Sequence, residues 1–289
     1  MTRATIDGAV MVIAKTPVVG LVKTRLCPPL TAAEAHAVAS ACLADTIEVA
    51  SAVPAARHVL VLDGQPGCWL PNGWEVIPQR GGGLDERLAA AFADVADPAS
   101  VRALFRDARA ALGDIDILVA AAGVAPSAPL VKTTDEQWRQ AIEVNLSGAF
   151  YGLREALPAM TARGWGRVVN VASIAGKTGA PYIAAYAASK HGLLGLTKVA
   201  ALECAARGVT VNAVCPGYVD TPMTDESIRR IVEKTGVSAV DVRRRLEDSS
   251  PQKRLYTAAE VSALVVFLCG DSAAGINGQA LSVDGGTFL

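Results

Sequence analysis

Short apolar runs alternate along this chain with longer stretches of helical periodicity. That alternation restricts the fold to a parallel sheet with helices on both faces. Residues 10–14, 58–62, 74–77, 116–121, 167–172, 210–214 and 279–283 read as strands. Between them, residues 31–52 open with Thr31 followed three positions later by Glu34, a capping box for a long Ala-rich helix. Residues 84–92 read as a helix with Asp85 and Glu86 in its first turn, where acidic groups meet the positive helix end. Helical patterns continue over 100–112, 134–160 and 184–206, the last closed by Gly208. Residues 221–254 read as two helices and 258–270 as one. The expected class is a doubly wound, Rossmann-like α/β sheet. Whether residues 88–95 continue a helix or form a strand stays open.

Composition narrows the setting. A chain of 289 residues, 51% hydrophobic, is long enough to bury a sizeable core. Its net charge of -1 gives no electrostatic means of capturing nucleic acid or an anionic membrane. Six cysteines show no CxxC pairing or ladder-like spacing, so they read as reduced thiols and not as disulfides or a zinc site. No cleavage pattern follows the short apolar run near the start, and the apolar stretch 261–269 is too short to span a bilayer. The expectation is a cytoplasmic protein acting on a small molecule, with no metal.

Four residues carry a coherent chemistry. Tyr186 and Lys190 lie four apart in a helical pattern, so both project from one face. A phenol is a poor acid–base catalyst near its ordinary pKa of about 10, and a neighbouring ammonium favours the phenolate. Ser173 stands at the carboxyl end of a strand, where open α/β sheets place ligand-binding groups, and its hydroxyl can hold a substrate oxygen against Tyr186. Asn145 lies inside a helical pattern, where its side chain competes with the backbone, and this marks a local role.

From about residue 94 to 289 the chain resembles the short-chain dehydrogenase/reductase family. The resemblance runs through Asp94-Val95, residues 116–119, Val144-Asn145-Leu146, Asn170 to Ser173, Tyr186 to Lys190, Val211 to Gly217 and Val283 to Gly286. It implies NAD or NADP as cofactor and Tyr186 as proton donor and acceptor. It makes Lys190 the group that lowers the tyrosine's pKa and holds the nicotinamide ribose. By the same resemblance Ser173 orients the carbonyl, and Asn145 anchors the water of a proton relay. Pro216, Gly217 and Val219 would flank the nicotinamide, Thr221 would reach its carboxamide or the diphosphate, and Asp94 and Val95 would lie near the adenine. Ala120 to Gly123 stand where the family carries Asn-Asn-Ala-Gly; Gly123 keeps a close backbone approach, and the lost asparagine hydrogen bonds should loosen that strand. Cys215 to Pro222 and the long segment after them resemble 3-hydroxybutyrate dehydrogenases and acyl or polyketide ketoreductases, and by analogy this implies a 3-oxo or 3-hydroxy acyl-type substrate. Family members commonly form tetramers, so a homo-oligomer is implied.

The front departs from that pattern. A dinucleotide fold opens with a strand, a turn of three glycines and a helix whose N-terminus receives the diphosphate. Here the first strand is followed by Lys15 to Leu26, with one glycine, Gly20, and with Pro17 in the turn. Residues 8–93 resemble small nucleotide-sugar glycosyltransferases, through Lys15-Thr16-Pro17, Gly20 to Leu26 and Gln79 to Phe92. In that family a basic loop contacts nucleotide phosphates, which suits Lys15, Lys23 and Arg25. The acidic metal motif of that family is absent, because the chain has already become dehydrogenase-like. Neither part alone can bury a core, so one merged domain over 1–289 is expected, joining 1–93 to 94–289.

Three further signals have plain readings. Asp63 before Gly64 reads as a turn, His191 as a helix-surface residue, and Arg243 to Arg245 as a solvated helix face rather than a site for coenzyme A phosphates. The principal expectation is an NAD(P)-dependent oxidoreductase. A silent hybrid unable to hold the cofactor, and a nucleotide-sugar-binding protein using Lys15, Lys23 and Arg25, are the alternatives.

Overall fold

The structure, a computed structural model, describes residues 6–15, 31, 47, 51, 55–63, 70–78 and 94–288. Two compact units emerge: residues 1–94 with 106–115, and residues 95–105 with 116–289.

In the first unit, β1 (Ile6–Lys15), β2 (Ala55–Asp63) and β3 (Trp74–Pro78) pair in parallel in the order β1-β2-β3. Ile47 and Ser51 are helical, as the capping-box reading expects, and Trp74 donates its indole N–H to the Ser51 hydroxyl at 3.0 Å. The expected helix over 84–92 and the basic loop with Lys23 and Arg25 lie outside the described residues.

Helix α1 (Pro98–Leu112) starts where Asp97 accepts hydrogen bonds from the Ala99 and Ser100 amides, with Pro98 in the first turn, where no amide is missed. Just before it, Val95 and Ala96 form a turn, so residue 95 is neither helix nor strand.

The second unit is built on β4 (Ile117–Ala120), β5 (Gly166–Val171), β6 (Val209–Pro216) and β7 (Ala280–Val283), all parallel and ordered β4-β5-β6-β7. Strand alternation decides which helix each side chain meets. Leu118 and Gly166 face α3 (Gly148–Arg163), and Asn170 on the same face of β5 reaches Thr197 of α4 (Ala184–Cys204) at 2.9 Å. On the opposite face Ile117, Val169, Val214 and Leu281 pack with Leu264, Leu268 and Cys269 of α7 (Ala258–Cys269). Helices therefore cover both faces, and β5 and β6, buried on both sides, are the centre of the core.

Two local results refine the expectations. The helix expected over 134–160 is interrupted. Thr134 and Gln137 form a capping box for α2 (Asp135–Ile142), a five-residue π-turn follows over Glu143–Ser147, and α3 then runs to Gly164. A π-turn spreads the backbone ladder and is common at functional sites; Asn145 sits inside it. At the end of α4, Gly208 has φ +69°, and a Cβ there would stand 2.1 Å from the Gly164 carbonyl oxygen. Only glycine meets both demands.

The expected loosening at residues 120–122 has a physical counterpart. Ala120 pairs in register with Asn170, whose Oδ1 is buried with no hydrogen-bond partner. A short apolar side chain at 120 supplies no donor to that oxygen.

The residues after β6 form α5 (Pro222–Thr235) and α6 (Ala239–Asp248), the two helices expected there. Among the described residues no helix is long and apolar enough to cross a membrane. Cys204, Cys215 and Cys269 are buried free thiols.

Candidate active site

The carboxyl ends of β4, β5 and β6 and one face of α4 bring the sequence candidates together. Ser173 follows β5 and caps a short 3-10 turn, its hydroxyl accepting from the Ala175 amide at 3.1 Å. The same hydroxyl neighbours the half-buried Tyr186 phenol of α4 and favours its ionised form. One helical turn on, Lys190 is 4% exposed, and its Nζ donates to the Val171 carbonyl at 2.8 Å. That Nζ lies 5.8 Å from the centroid of the Tyr186 ring.

The electrostatics differ from the sequence expectation. Burial pushes the Tyr186 phenol above its ordinary range, and the neighbouring Ser173 hydroxyl offsets only part of this. Burial also lowers Lys190 to about 8. Removing water penalises the charged form of each group, and this outweighs any help the ammonium gives the phenolate. At neutral pH the phenol is therefore held protonated, the form that a proton donor needs.

Asn145 is 1% exposed and its side chain is committed. Its Oδ1 accepts from the Val124 amide at 2.8 Å, and its Nδ2 donates to the Val124 carbonyl and to the Ser189 hydroxyl, both at 2.9 Å. Ser189 in turn donates to the Tyr186 carbonyl at 2.7 Å. The π-turn aims Asn145 at two segments at once, the one after β4 and helix α4. Gly123 completes the cluster: a Cβ there would lie 3.5 Å from Asn145 Oδ1 and 3.8 Å from Lys190 Nζ.

The remaining candidates have contacts of their own. Pro216 ends β6, and the Gly217 amide bonds the Val283 carbonyl at 3.1 Å. Val219 pairs with Tyr256 in an isolated bridge, and its carbonyl accepts from Thr224 Oγ1 at 2.6 Å. Thr221 stands at the N-cap of α5 without using its side chain to cap the helix. Val95 packs against Gly148, where a Cβ would approach it to 3.0 Å, and Asp94 is exposed.

Sequence reading missed several contributors. Ser189 lies inside the Tyr186 to Lys190 motif, but only its contact with Asn145 gives it a role. Lys177 donates to the Ser282 hydroxyl at 2.8 Å and ties the Ser173 turn to β7. Arg230 and Lys234 of α5 bond carbonyls more than 100 residues away. No spacing signal identifies such partners. Asp63 ends β2, and the turn read after it lies outside the described residues. His191 is exposed and bonds the Ala187 carbonyl within its own helix. Arg243 pairs with Asp220 and Glu247, and Arg244 with Asp241.

Comparison with known proteins bears on the family. Residues 81–287 match the family model described as enoyl-(acyl carrier protein) reductase. The chain belongs to the short-chain dehydrogenase/reductase family. This short-chain oxidoreductase is 40% identical over 195 residues to a D-beta-hydroxybutyrate dehydrogenase of Rhizobium meliloti, covering 67% of this chain and 76% of the relative. It is 37% identical over 196 residues to a 3-oxoacyl-[acyl-carrier-protein] reductase of Salmonella typhimurium, covering 68% of this chain and 76% of the relative. Among solved structures, a variant of actinorhodin polyketide ketoreductase with NADPH superposes with a TM-score of 0.71 at 29% identity, covering 97% of each chain. The relatives add no support to the transferase-like reading of residues 8–93.

Proposed function

We propose that this short-chain oxidoreductase interconverts a 3-oxo acyl-type carbonyl and the corresponding 3-hydroxy compound, using NADH or NADPH. The observation that carries the reading is the Ser173, Tyr186 and Lys190 cluster at the carboxyl edge of the sheet.

The residues fit a dinucleotide. Lys190 has three ammonium hydrogens and the Val171 carbonyl takes one, which leaves donors for a ribose diol in a buried setting. Thr221, at an N-cap it does not close with its side chain, suits the carboxamide or diphosphate, with Pro216, Gly217 and Val219 beside the nicotinamide. Gly123, Ala120, Asp94 and Val95 are assigned to the adenosine side. When bound, the nicotinamide supplies or accepts the hydride. In reduction Tyr186 gives its phenolic proton to the carbonyl oxygen as that carbon becomes C–H, while Ser173 holds the oxygen. In oxidation the same groups act in reverse: the Tyr186 phenolate takes the hydroxyl proton as the hydride leaves, and the relay water assigned to Asn145 would carry that proton away; in reduction it would resupply it.

The names of the relatives, a hydroxybutyrate dehydrogenase and a 3-oxoacyl reductase, support the substrate class. We also infer a cytoplasmic homo-oligomer, a tetramer by family habit, in which residues 1–93 and 94–289 unfold as one domain. A single calorimetric transition, raised by cofactor, is expected of that arrangement; two separate transitions would contradict it.

Titration with NADH and NADPH by nicotinamide fluorescence is the first test, followed by turnover of 3-oxo thioesters with a Tyr186→Phe control. Saturable micromolar binding and loss of turnover in Tyr186→Phe are expected. Failure of both cofactors to bind would leave the cluster without a partner and refute the proposal.

A further inference from the structure

The segment Val124–Ala128 after β4 is held by its main-chain groups from three directions. Asn145 takes both polar groups of Val124. At the other end the Ala128 amide donates to the Tyr182 carbonyl at 2.8 Å. Tyr182 has φ +71°, a conformation that a non-glycine residue keeps only where its surroundings enforce it. Between these anchors, α5 takes two more carbonyls: Arg230 Nη1 donates to Ala125 O at 3.1 Å, and Lys234 Nζ to Ser127 O at 3.4 Å. The two cations are four residues apart and so share one face of α5. Glu226 steadies Arg230 at 3.6 Å, and the Arg230 side chain remains 28% exposed.

Topology gives these contacts their meaning. Helix α5 follows β6, yet its far end grips the segment after β4, and β5 lies between those two strands. The helix therefore passes over the carboxyl end of β5, where Ser173 faces Tyr186. At its near end the Asp220 amide bonds the Tyr256 carbonyl at 2.8 Å and Arg243 pairs with the Asp220 carboxylate at 2.8 Å, so that end is fixed as well. A helix anchored at one end and held by charge-assisted bonds at the other is a closed cover with one releasable side.

We propose that Arg230, assisted by Lys234, is a positioning residue that latches α5 over the Ser173–Tyr186 cleft and sets the Val124–Ala128 segment against the substrate. The substrate role rests on the proposed function; the latch itself does not.

Hydrogen exchange on the full-length chain separates the two. In Arg230→Gln, the amides of Val124, Ala125, Ser127 and Ala128 and the last two turns of α5 are expected to exchange about tenfold faster, the loss of one charge-assisted bond, while β5 and β6 stay unchanged. Arg230→Lys should recover most of that protection, since one donor still reaches Ala125 O. In turnover assays Arg230→Gln should raise KM for the carbonyl substrate about tenfold, with kcat within about twofold and the pH profile of Tyr186 in place. Unchanged exchange in Arg230→Gln would overturn the latch, as would a rise spread equally over β5 and β6. Faster exchange confined to the segment, in a wild-type chain that turns over nothing, would keep the latch and sink the oxidoreductase reading instead.

Discussion

Lys190 allows a test of how far burial, and not charge pairing, governs the site. Its ammonium is 4% exposed and falls from an ordinary 10.5 to about 8. At about 1.36 kcal/mol per pH unit, that difference is worth roughly 3 kcal/mol of folding free energy. The sign follows from proton counting. Below pH 8 the lysine is charged in both folded and unfolded chains, and the burial penalty is present in full. Between about 8 and 10.5 the unfolded chain still holds a proton that the folded chain has released, so stability rises with pH. Lys190→Met removes the titration and keeps the bulk. It leaves the Val171 carbonyl unpaired, at about 1–3 kcal/mol, but that cost is the same at every pH. Buried Cys204, Cys215 and Cys269 are pushed up and pull stability the other way at alkaline pH, so the informative quantity is the difference between the two proteins. Urea unfolding of cofactor-free wild type and Lys190→Met from pH 7 to 10.5 should show wild type gaining about 3 kcal/mol on the variant. Parallel curves would refute the claim that burial sets this lysine's charge.

Three other outcomes are expected. Asn145→Ala should destabilise the chain by about 3 kcal/mol in urea unfolding, because it leaves the part-buried Val124 amide and carbonyl without their side-chain partner and takes from the buried Ser189 hydroxyl the one bond it accepts. Gly208→Ala should cost more than about 2 kcal/mol and lower Tm, since φ +69° and the Gly164 carbonyl 2.1 Å away penalise any Cβ. Because burial raises the Tyr186 phenol, reduction rates should stay level through neutral pH and fall only when the phenol ionises, whereas oxidation rates should climb with pH; opposite slopes in initial-rate profiles would contradict this.

The order of elements, and the face that carries the chemistry, were determined by the sequence alone. Strand and helix periodicities are local, so β5, β6, α4 and α7 lie within a few residues of where the pattern places them. Four-residue spacing on a helix is likewise local, so Tyr186 and Lys190 share a face before any packing is known. Tertiary structure decided what local pattern cannot carry. The π-turn at Asn145 exists because one amide side chain must reach both Val124 and Ser189, residues 21 and 44 positions away. The pKa of Lys190 depends on how much water β5 and α4 exclude together. The grip of Arg230 on Ala125 joins residues that are 105 apart in sequence, and only the order β4-β5-β6, which puts Ser173 beneath α5, makes that contact a latch over the site.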